Sequence, residues 1–151
     1  MLIGVISDTH GMLRPEALAA LQGVEHILHA GDVGDAQILA ALSEIAPVTA
    51  IRGNIDVFGP CAELPAIEMV DLGGKNFYML HDRKQLDLNP EAAGIAAVIS
   101  GHSHQPAIDW RKEVLYFNPG SAGPRRFSLP ISLGFIEIRE GKIEPKLITL
   151  G

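Results

Sequence analysis

Seven residues whose side chains can ligate a metal ion follow directly after apolar runs of this sequence. They offer carboxylate oxygen, amide oxygen or imidazole nitrogen, and none offers a thiolate. This mixture suits Mn²⁺, Zn²⁺, Fe or Ni better than Ca²⁺ or a sulfur cluster, and of these four we expect Mn²⁺ first. Seven ligands are too many for one tetrahedral ion, and they suit two ions that share a bridging carboxylate. The residues are Asp8, His10, Asp32, Asn54, His81, His102 and His104.

The apolar runs before these residues are typical of strands that are covered on both faces. In an open α/β sheet the carboxyl ends of the strands share one edge, so we expect the seven side chains to converge there. Asp8 and His10 are two residues apart, as are His102 and His104, and in extended backbone such pairs face one way. The runs span residues 2–7, 26–30, 48–51, 77–80 and 96–100.

Helical patterns separate the first three strands. Pro15 is suited to the first turn of one helix and Gly23 to its end, while Asp35 is a good N-cap for a second helix that Pro47 stops. The first half therefore reads βαβαβ, which favours parallel strands.

The second half predicts hairpins. Gly73-Gly74 separates apolar residues 67–72 from 76–80, and Glu140-Gly141 separates 133–138 from 143–150. Two short strands are predicted at 107–110 and 114–117. We expect an α/β fold in which two mixed β-sheets pack as a sandwich flanked by α-helices, formed by residues 1–151 as a single domain.

Composition excludes several classes of protein. The chain has 151 residues, of which 47% are hydrophobic, which excludes a disordered chain. Its net charge of −6 and scattered basic residues argue against a stable nucleic-acid complex. No apolar run approaches the roughly 20 residues that span a bilayer, and the short opening run does not resemble a signal peptide. We therefore expect no membrane association and a cytoplasmic location. Cys61, the single cysteine, and Trp110 are predicted to be packing residues.

The metal-ligating residues occur in motifs that resemble the calcineurin-like metallophosphoesterase family. In order, these motifs are Asp8-x-His10, Gly31-Asp32, Gly53-Asn54-x-Asp56, His81 and Gly101-His102-x-His104. The segment Asn118-Pro119-Gly120-Ser121 is also similar to one in the YfcE-type branch of small phosphodiesterases. The resemblance extends from residue 8 to about residue 125.

The resemblance implies a role for each motif position. Asp8, His10 and His104 would hold one ion, Asp32 would bridge, and Asn54, His81 and His102 would complete the second site. Asn54 would also orient the substrate phosphate. A hydroxide bridging the two ions would attack phosphorus in line. The family's fold agrees with the two-sheet architecture expected above.

Two positions depart from the family pattern. Many members have a histidine after the motif asparagine that is proposed to protonate the leaving group, but this chain has Ile55. YfcE-type members also lack that histidine, so activity is expected, with higher rates on good leaving groups. Relatives often have glycine beside the ligand at His81, whereas here Asp82 and Arg83 follow it. Asp82 is a candidate for a carboxylate just outside the metal ligands, and Arg83 is a candidate for a contact to the substrate phosphate.

Several other polar residues have competing interpretations. His26 and His29 lie inside a strand and are predicted to be structural. Asp56 is a candidate catalytic residue, either as hydrogen-bonding support for a metal-binding histidine or as a turn residue. Asn118–Ser121 is a turn by composition and a site wall by resemblance. Arg125 is a candidate substrate-binding residue that could clamp a phosphate, as is Arg126, with solvated surface charge as the alternative.

The predicted function is metal-dependent hydrolysis of a small phosphate ester. The resemblance to the YfcE-type branch favours a phosphodiester, with a phosphomonoesterase or nucleotidase as alternatives. A further alternative is a non-catalytic scaffold, since relatives such as the retromer scaffold subunit keep the fold without the ligands. The complete ligand set of this chain favours an enzyme. The C-terminal hairpin is either a dimer edge or the end of a sheet, so a homo-oligomer stays open.

Overall fold

Ten strands and two short α-helices make up the computed structural model, which describes all 151 residues. The helices are α1 (Pro15–Ala20) and α2 (Ala36–Ser43), and 3-10 turns span Pro60–Glu63 and Arg83–Gln85. The strands are β1 (Leu2–Ile6), β2 (His26–His29), β3 (Val48–Ala50), β4 (Ile67–Leu72), β5 (Lys75–Leu80), β6 (Ala97–Ile99), β7 (Ala107–Arg111), β8 (Val114–Asn118), β9 (Ser132–Arg139) and β10 (Lys142–Thr149).

The strands form two five-stranded mixed sheets. The first has the order β10-β9-β1-β2-β3, in which β1, β2 and β3 are parallel and β9 and β10 are antiparallel additions. The second has the order β4-β5-β6-β8-β7, with β5, β6 and β8 parallel. The predicted βαβαβ opening and two-sheet fold are confirmed.

The main core lies between the two sheets. Ile3 and Val5 of β1 face this core together with Phe77 and Phe117 from the second sheet. Each such side chain contributes about 1.5–3 kcal/mol when fully buried. Alternate residues of β1 face the other way, where Ile6 packs with the residues that surround α1 and α2. Both faces of β1 are therefore buried, which explains its continuous apolar run.

The two outer faces are covered differently. Both α-helices pack on the first sheet. The outer face of the second sheet, at Tyr78, Leu80 and Val98, is covered by Leu86 and Leu88 and has no α-helix. Because β5 and β6 are parallel, the chain between them must cross this face, and it does so with a 3-10 turn. The predicted helical flank therefore exists on one side of the sandwich.

Both predicted hairpins are present, β4 with β5 and β9 with β10. Their turn residues all have positive φ, between 54° and 82°, as two-residue hairpin turns require. No helix in the structure has the length and apolar character that crossing a membrane demands.

Candidate metal centre

The candidate ligands come from the carboxyl ends of five strands that belong to both sheets. Residues after β1, β2 and β3 meet residues after β5 and β6. Within each sheet, the Asp8 N–H donates to the Gly31 carbonyl at 3.0 Å and the Gly101 N–H donates to the His81 carbonyl at 3.0 Å. Between the sheets, the His102 N–H donates to Asp8 Oδ2 at 3.1 Å. The site therefore lies where the ends of the two sheets meet.

Five of the seven candidate ligands have left-handed backbone. Their φ values lie between 47° and 70°, a region that non-glycine residues rarely adopt. The prediction that period-two spacing in extended backbone aligns the pairs is therefore wrong. The backbone changes from extended to left-handed conformation after these strands, and local strain of this kind clusters at functional sites. The five residues are Asp8, His10, Asp32, His102 and His104.

Two glycines allow the loops to approach this closely. A Cβ on Gly53 would lie 2.1 Å from Asp32 Oδ1, and a Cβ on Gly101 would lie 2.0 Å from Ser7 Oγ and 2.7 Å from Asp8 Oδ2. No side chain fits at either position without displacing a candidate ligand. This explains why glycine precedes Asn54 and His102 in the motifs.

The Asp8 carboxylate is fully buried, and its two oxygens have different environments. Oδ2 accepts hydrogen bonds from the Ser7 hydroxyl at 2.9 Å and from the His102 N–H at 3.1 Å. Oδ1 has no hydrogen-bond partner, and Nε2 atoms of three histidines lie 3.5–3.8 Å away. One oxygen is thus anchored while the other is presented to the histidines.

The Asp32 carboxylate is arranged in the same way. Its Oδ1 accepts from the Ile55 N–H at 3.1 Å, while Oδ2 lies 3.4 Å from His10 Nε2 and 3.2 Å from His81 Nε2. Asp32 therefore lies between a histidine assigned by resemblance to the first ion and one assigned to the second. Asp8 also contacts both of these histidines.

The histidines present unpaired nitrogens to these carboxylates. His81 Nδ1 lies 2.7 Å from the Ala30 carbonyl, which only accepts, so Nδ1 carries a proton and the neutral ring has its lone pair on Nε2. Such a carbonyl contact is typical of a metal-bound imidazole. His10 Nε2 and both ring nitrogens of His104 are also buried without a partner.

Electrostatics favour ionised carboxylates next to imidazoles. Burial would raise the pKa of Asp8, but the neighbouring imidazoles of His10 and His104 and the charge of His81 hold that pKa well below its usual range. The pKa of Asp32 is likewise lowered, against burial, by His81 and by the Ile55 N–H. The Asp8 carboxylate raises the pKa of His10.

Asn54 and His102 lie on the more exposed side of the cluster. The rings of His102 and His81 have centroids 5.2 Å apart, and His102 Nδ1 lies 3.3 Å from Asn54 Oδ1. All seven predicted ligands are thus brought to one site. Two groups, Asp8 with His10 and His104, and Asp8 with Asp32 and His81, have ligand atoms within 4.8 Å of one another.

The chemistry of this cluster fits divalent metal ions. Five buried polar side-chain atoms lack any hydrogen-bond partner, and all five belong to candidate ligands. Unpaired buried polar atoms are costly, and here carboxylate oxygen and imidazole nitrogen, the ligand types that suit such ions, lie close together. A cation at the centre of the cluster would give a partner to Asp8 Oδ1, to Nε2 of His10 and His81, and to one ring nitrogen of His104.

The buried side chains of His29 and Thr9 join the loops after β1 and β2, a role that no sequence pattern indicated. His29 is fully buried; its Nδ1 accepts from the Gly31 N–H at 3.2 Å, so its Nε2–H donates to Thr9 Oγ1 at 3.0 Å. Thr9 in turn donates to the Val33 carbonyl at 2.9 Å. Burial lowers the pKa of His29 to about 4, which keeps the ring neutral. The pair connects the loop of Asp8 and His10 to the loop of Asp32, and the structural interpretation of His29 agrees with this position.

Asp56 is not directed toward the histidines, which corrects its prediction as a catalytic residue or a histidine support. Its carboxylate accepts three backbone hydrogen bonds, from Val33 at 3.0 Å, Gly34 at 2.9 Å and Gly53 at 2.9 Å. Asp56 therefore joins the loop after β2 to the loop after β3, a turn role. Asp35 caps α2 as predicted, by accepting from the Gln37 N–H.

The two arginines of the predicted phosphate clamp differ in position. Arg125 donates to the Leu129 carbonyl at 3.1 Å within its own loop, which gives no support to a substrate contact. Arg126 lies nearer the cluster: it reaches the His102 carbonyl at 3.4 Å, and its charge acts on His10.

Asp82 and Arg83, the two residues that follow His81, each contact another side chain. Asp82 Oδ2 lies 3.9 Å from His102 Nε2, and Arg83 pairs with Asp109 at 2.9 Å. In the Asn118–Ser121 turn, Asn118 donates to the Gly101 carbonyl and Ser121 donates to the Asp8 carbonyl, so this segment supports the ligand loops.

Comparison with known proteins agrees with this arrangement. The calcineurin-like phosphoesterase superfamily domain matches residues 1–141. A probable metallophosphoesterase of Methanocaldococcus jannaschii is 39% identical, covering 99% of this chain and 82% of its own length. The phosphodiesterase YfcE of Escherichia coli is 28% identical over 87% of this chain and 84% of its own length.

Solved structures with this fold include an archaeal phosphodiesterase and a Vps29 protein. The phosphodiesterase superposes with a TM-score of 0.80 at 22% identity, covering 98% of this chain and all of the other. Vps29 of Entamoeba histolytica, solved with Zn²⁺, has a TM-score of 0.77 at 20% identity and full coverage of both chains. At this identity the likeness shows the fold alone.

Proposed function

Because the chain belongs to the calcineurin-like phosphoesterase superfamily, we propose that it hydrolyses phosphodiesters with the help of two divalent metal ions, manganese first among the candidates. The observation that carries this proposal is the set of buried, unpaired ligand atoms on Asp8, His10, His81 and His104 that meet between the two sheets. An acidic chain gains from such ions the local positive charge that a phosphate substrate requires.

The seven ligands divide between two ions in this proposal. Asp8, His10 and His104 would hold one ion, Asn54, His81 and His102 would hold the other, and Asp32 would be shared. When bound, two such ions act as Lewis acids and lower the pKa of water so that it can attack phosphorus. The contacts of Asp32 Oδ2 with both His10 and His81 support the shared role.

The protein's own residues set the geometry before any metal binds. The Ala30 carbonyl holds the His81 ring with Nε2 free, and the Ser7 hydroxyl and His102 N–H hold Asp8 with Oδ1 free. Asn54 is exposed beside His102, where its amide N–H groups are free to donate to a phosphate oxygen. Ile55 carries no titratable group, so good leaving groups such as aryl oxides would react faster than alkoxides.

Two cavities support a diester in preference to a monoester. One of about 400 Å³ and another of about 300 Å³ both have His102 and Asp82 in their walls. A diester has two substituents on phosphorus, and the two cavities that border His102 would accommodate both. The name of the Escherichia coli relative, a phosphodiesterase, points the same way.

The decisive experiment compares hydrolysis of bis(p-nitrophenyl) phosphate and p-nitrophenyl phosphate by metal-stripped protein after addition of Mn²⁺, Zn²⁺, Ni²⁺ or Mg²⁺. We expect metal-dependent turnover, faster on the diester, with about two ions bound per chain. Asp32→Asn should lose both metal binding and turnover. Asp71→Asn, on β4, is the matched control because Asp71 is an exposed carboxylate away from the cluster.

The same experiment separates the alternatives. Faster monoester hydrolysis would favour a phosphomonoesterase or nucleotidase. Two bound ions without turnover on any ester would favour the scaffold function, for which the fold shared with Vps29 proteins gives a precedent. Protein that binds no metal would refute the proposal.

We also propose that residues 1–151 work as one domain in the cytoplasm on a small substrate, without a stable nucleic-acid complex. Sedimentation of the purified protein would establish whether β10, at the edge of the first sheet, pairs with a second copy. Cell fractionation would test the location.

A further inference from the structure

We propose that the larger cavity beside His102 binds a second anionic group of the substrate, so that the preferred substrate is a phosphodiester with a further phosphate on one arm. This inference rests on the proposed phosphodiesterase function and names its substrate class. The cavity, called here the Lys84 cavity, has a volume of about 400 Å³ and is lined by Asp82, Arg83, Lys84, His102, Ser103 and Gln105 among others.

Position is the first argument. His102 belongs to the candidate metal centre and also to the wall of the Lys84 cavity. A ligand whose scissile phosphate lies at the metal centre can therefore extend past His102 into this cavity. The volume leaves room for a short linker, such as a sugar, together with a terminal group.

Charge is the second argument. Lys84 is exposed and has no carboxylate within the 4.0 Å of an ion pair, and Arg83 is the other cation in the wall. Asp82 is the one carboxylate of the lining; its Oδ2 lies 3.9 Å from His102 Nε2, and its Oδ1 accepts a hydrogen bond from the Lys84 N–H at 3.0 Å. The lining thus holds two cations against one carboxylate, and Lys84 is the cation without an ion-pair partner, although the chain as a whole has a net charge of −6.

Arg83 is already held in place before a ligand arrives. Its Nη2 donates to Asp109 at 2.9 Å, and its guanidinium carbon lies 4.3 Å from the centroid of the Tyr116 ring. The other N–H groups of this guanidinium have no acceptor in the protein. A preorganised guanidinium with free donors is suited to a phosphate or carboxylate.

Ser103 adds a directed donor. Its Oγ accepts hydrogen bonds from Asn118 Nδ2 at 3.1 Å and from the Gln105 N–H at 3.2 Å, so both lone pairs are occupied. The hydroxyl proton is left for an acceptor outside the protein. A cationic cavity with several free donors matches a group with several acceptor oxygens, and a terminal phosphate is such a group.

The test uses two pairs of chromogenic diesters that share the p-nitrophenyl leaving group. One pair is thymidine 5′-(p-nitrophenyl phosphate) with and without a 3′-phosphate, and the other has a propyl linker with and without a terminal phosphate. In the metal-loaded protein we expect the added phosphate to raise kcat/KM about tenfold, mainly through KM, and we expect the gain to shrink with added salt. If the added phosphate raises kcat/KM in the nucleoside pair alone, the cavity recognises the nucleoside linker together with the phosphate. If it raises kcat/KM in both pairs, the cavity recognises the phosphate whatever the linker is.

Lys84→Ala should reduce this preference to about twofold or less, because it removes the unpaired cation. Lys146→Ala is the matched control, since Lys146 is an exposed lysine on β10 in the other sheet, and it should keep the wild-type preference. Equal kcat/KM within each wild-type pair, or the full preference in Lys84→Ala, would overturn the inference while leaving the phosphodiesterase function intact.

A binding measurement covers the case in which no diester is turned over. Calorimetry would compare thymidine 3′,5′-bisphosphate with thymidine 5′-monophosphate on metal-loaded wild type and on Lys84→Ala. Tighter binding of the bisphosphate that depends on Lys84 would uphold the anion site even if the proposed hydrolysis failed. Equal binding of both nucleotides would refute the site.

Discussion

Replacing Gly53 by alanine tests whether the close approach of the β2 and β3 loops positions the metal ligands. The added Cβ would lie 2.1 Å from Asp32 Oδ1 and 2.4 Å from the Asp32 backbone nitrogen, whereas ordinary contact begins at 3.4 Å. One of the two loops must therefore move by about 1 Å. That movement removes the 3.1 Å hydrogen bond from the Ile55 N–H that anchors Asp32.

The size of the effect follows from these contacts. Loss of a hydrogen bond that orients a metal ligand typically lowers metal affinity about 10–100-fold. Overpacking at a rigid contact costs about 1–3 kcal/mol of unfolding free energy. We therefore expect Gly53→Ala to fold with reduced stability and to bind Mn²⁺ at least tenfold more weakly than wild type.

The assay is calorimetric titration of metal-stripped protein with Mn²⁺, together with urea unfolding in the presence of a chelator. Gly4→Ala is the matched control, because its Cβ would lie 2.5 Å from the flexible Cδ2 of Leu21 and far from the ligand carboxylates. The control should lose some stability and keep its metal affinity. Wild-type Mn²⁺ affinity in Gly53→Ala would show that the glycine contact does not position Asp32.

Three further predictions concern the residues around the ligands. Burial holds the pKa of His29 at about 4, against 6.5 in the unfolded chain. The unfolded state therefore gains a proton first as the pH falls, and about 3 kcal/mol of unfolding free energy is lost between pH 6.5 and 4. Urea unfolding of metal-stripped protein should show a shallower pH dependence in His29→Gln, and an unchanged slope would contradict this. Asp56→Asn should lower the unfolding free energy by about 2–3 kcal/mol because buried N–H groups lose a charged acceptor; wild-type urea stability would argue against the connecting role of Asp56. Ile55→His should raise turnover of alkyl diesters relative to p-nitrophenyl diesters by supplying a proton donor, whereas an unchanged ratio would mean that leaving-group protonation does not limit the rate.

Much of the fold was predictable because its signals are local. The apolar run at residues 2–7 predicts a strand buried on both faces, and Gly73-Gly74 marks a hairpin through its positive φ. The seven candidate ligands were also predictable, since each follows a strand and has a metal-binding side chain. These features depend on residue type and short-range order, which the sequence states directly.

The backbone of the ligands was not predictable in this way. Asp8 and His102 were expected in extended conformation, but both are left-handed. That conformation is stabilised by hydrogen bonds between loops distant in sequence, such as the bond from the His102 N–H to Asp8 Oδ2 across 94 positions. No local pattern encodes such a contact.

The sequence by itself therefore determined the types of the candidate ligands, their order and the strands that they follow. Only the tertiary structure decided that ligands from two different sheets meet, that Asp8 Oδ1 and Asp32 Oδ2 are the free oxygens, and that Asp56 connects loops instead of supporting a histidine. The same holds for Arg126, which lies nearer the cluster than Arg125 does. The physical reason is that these outcomes depend on which strand ends meet and on which long-range donors are satisfied, and both follow from the packing of the two sheets.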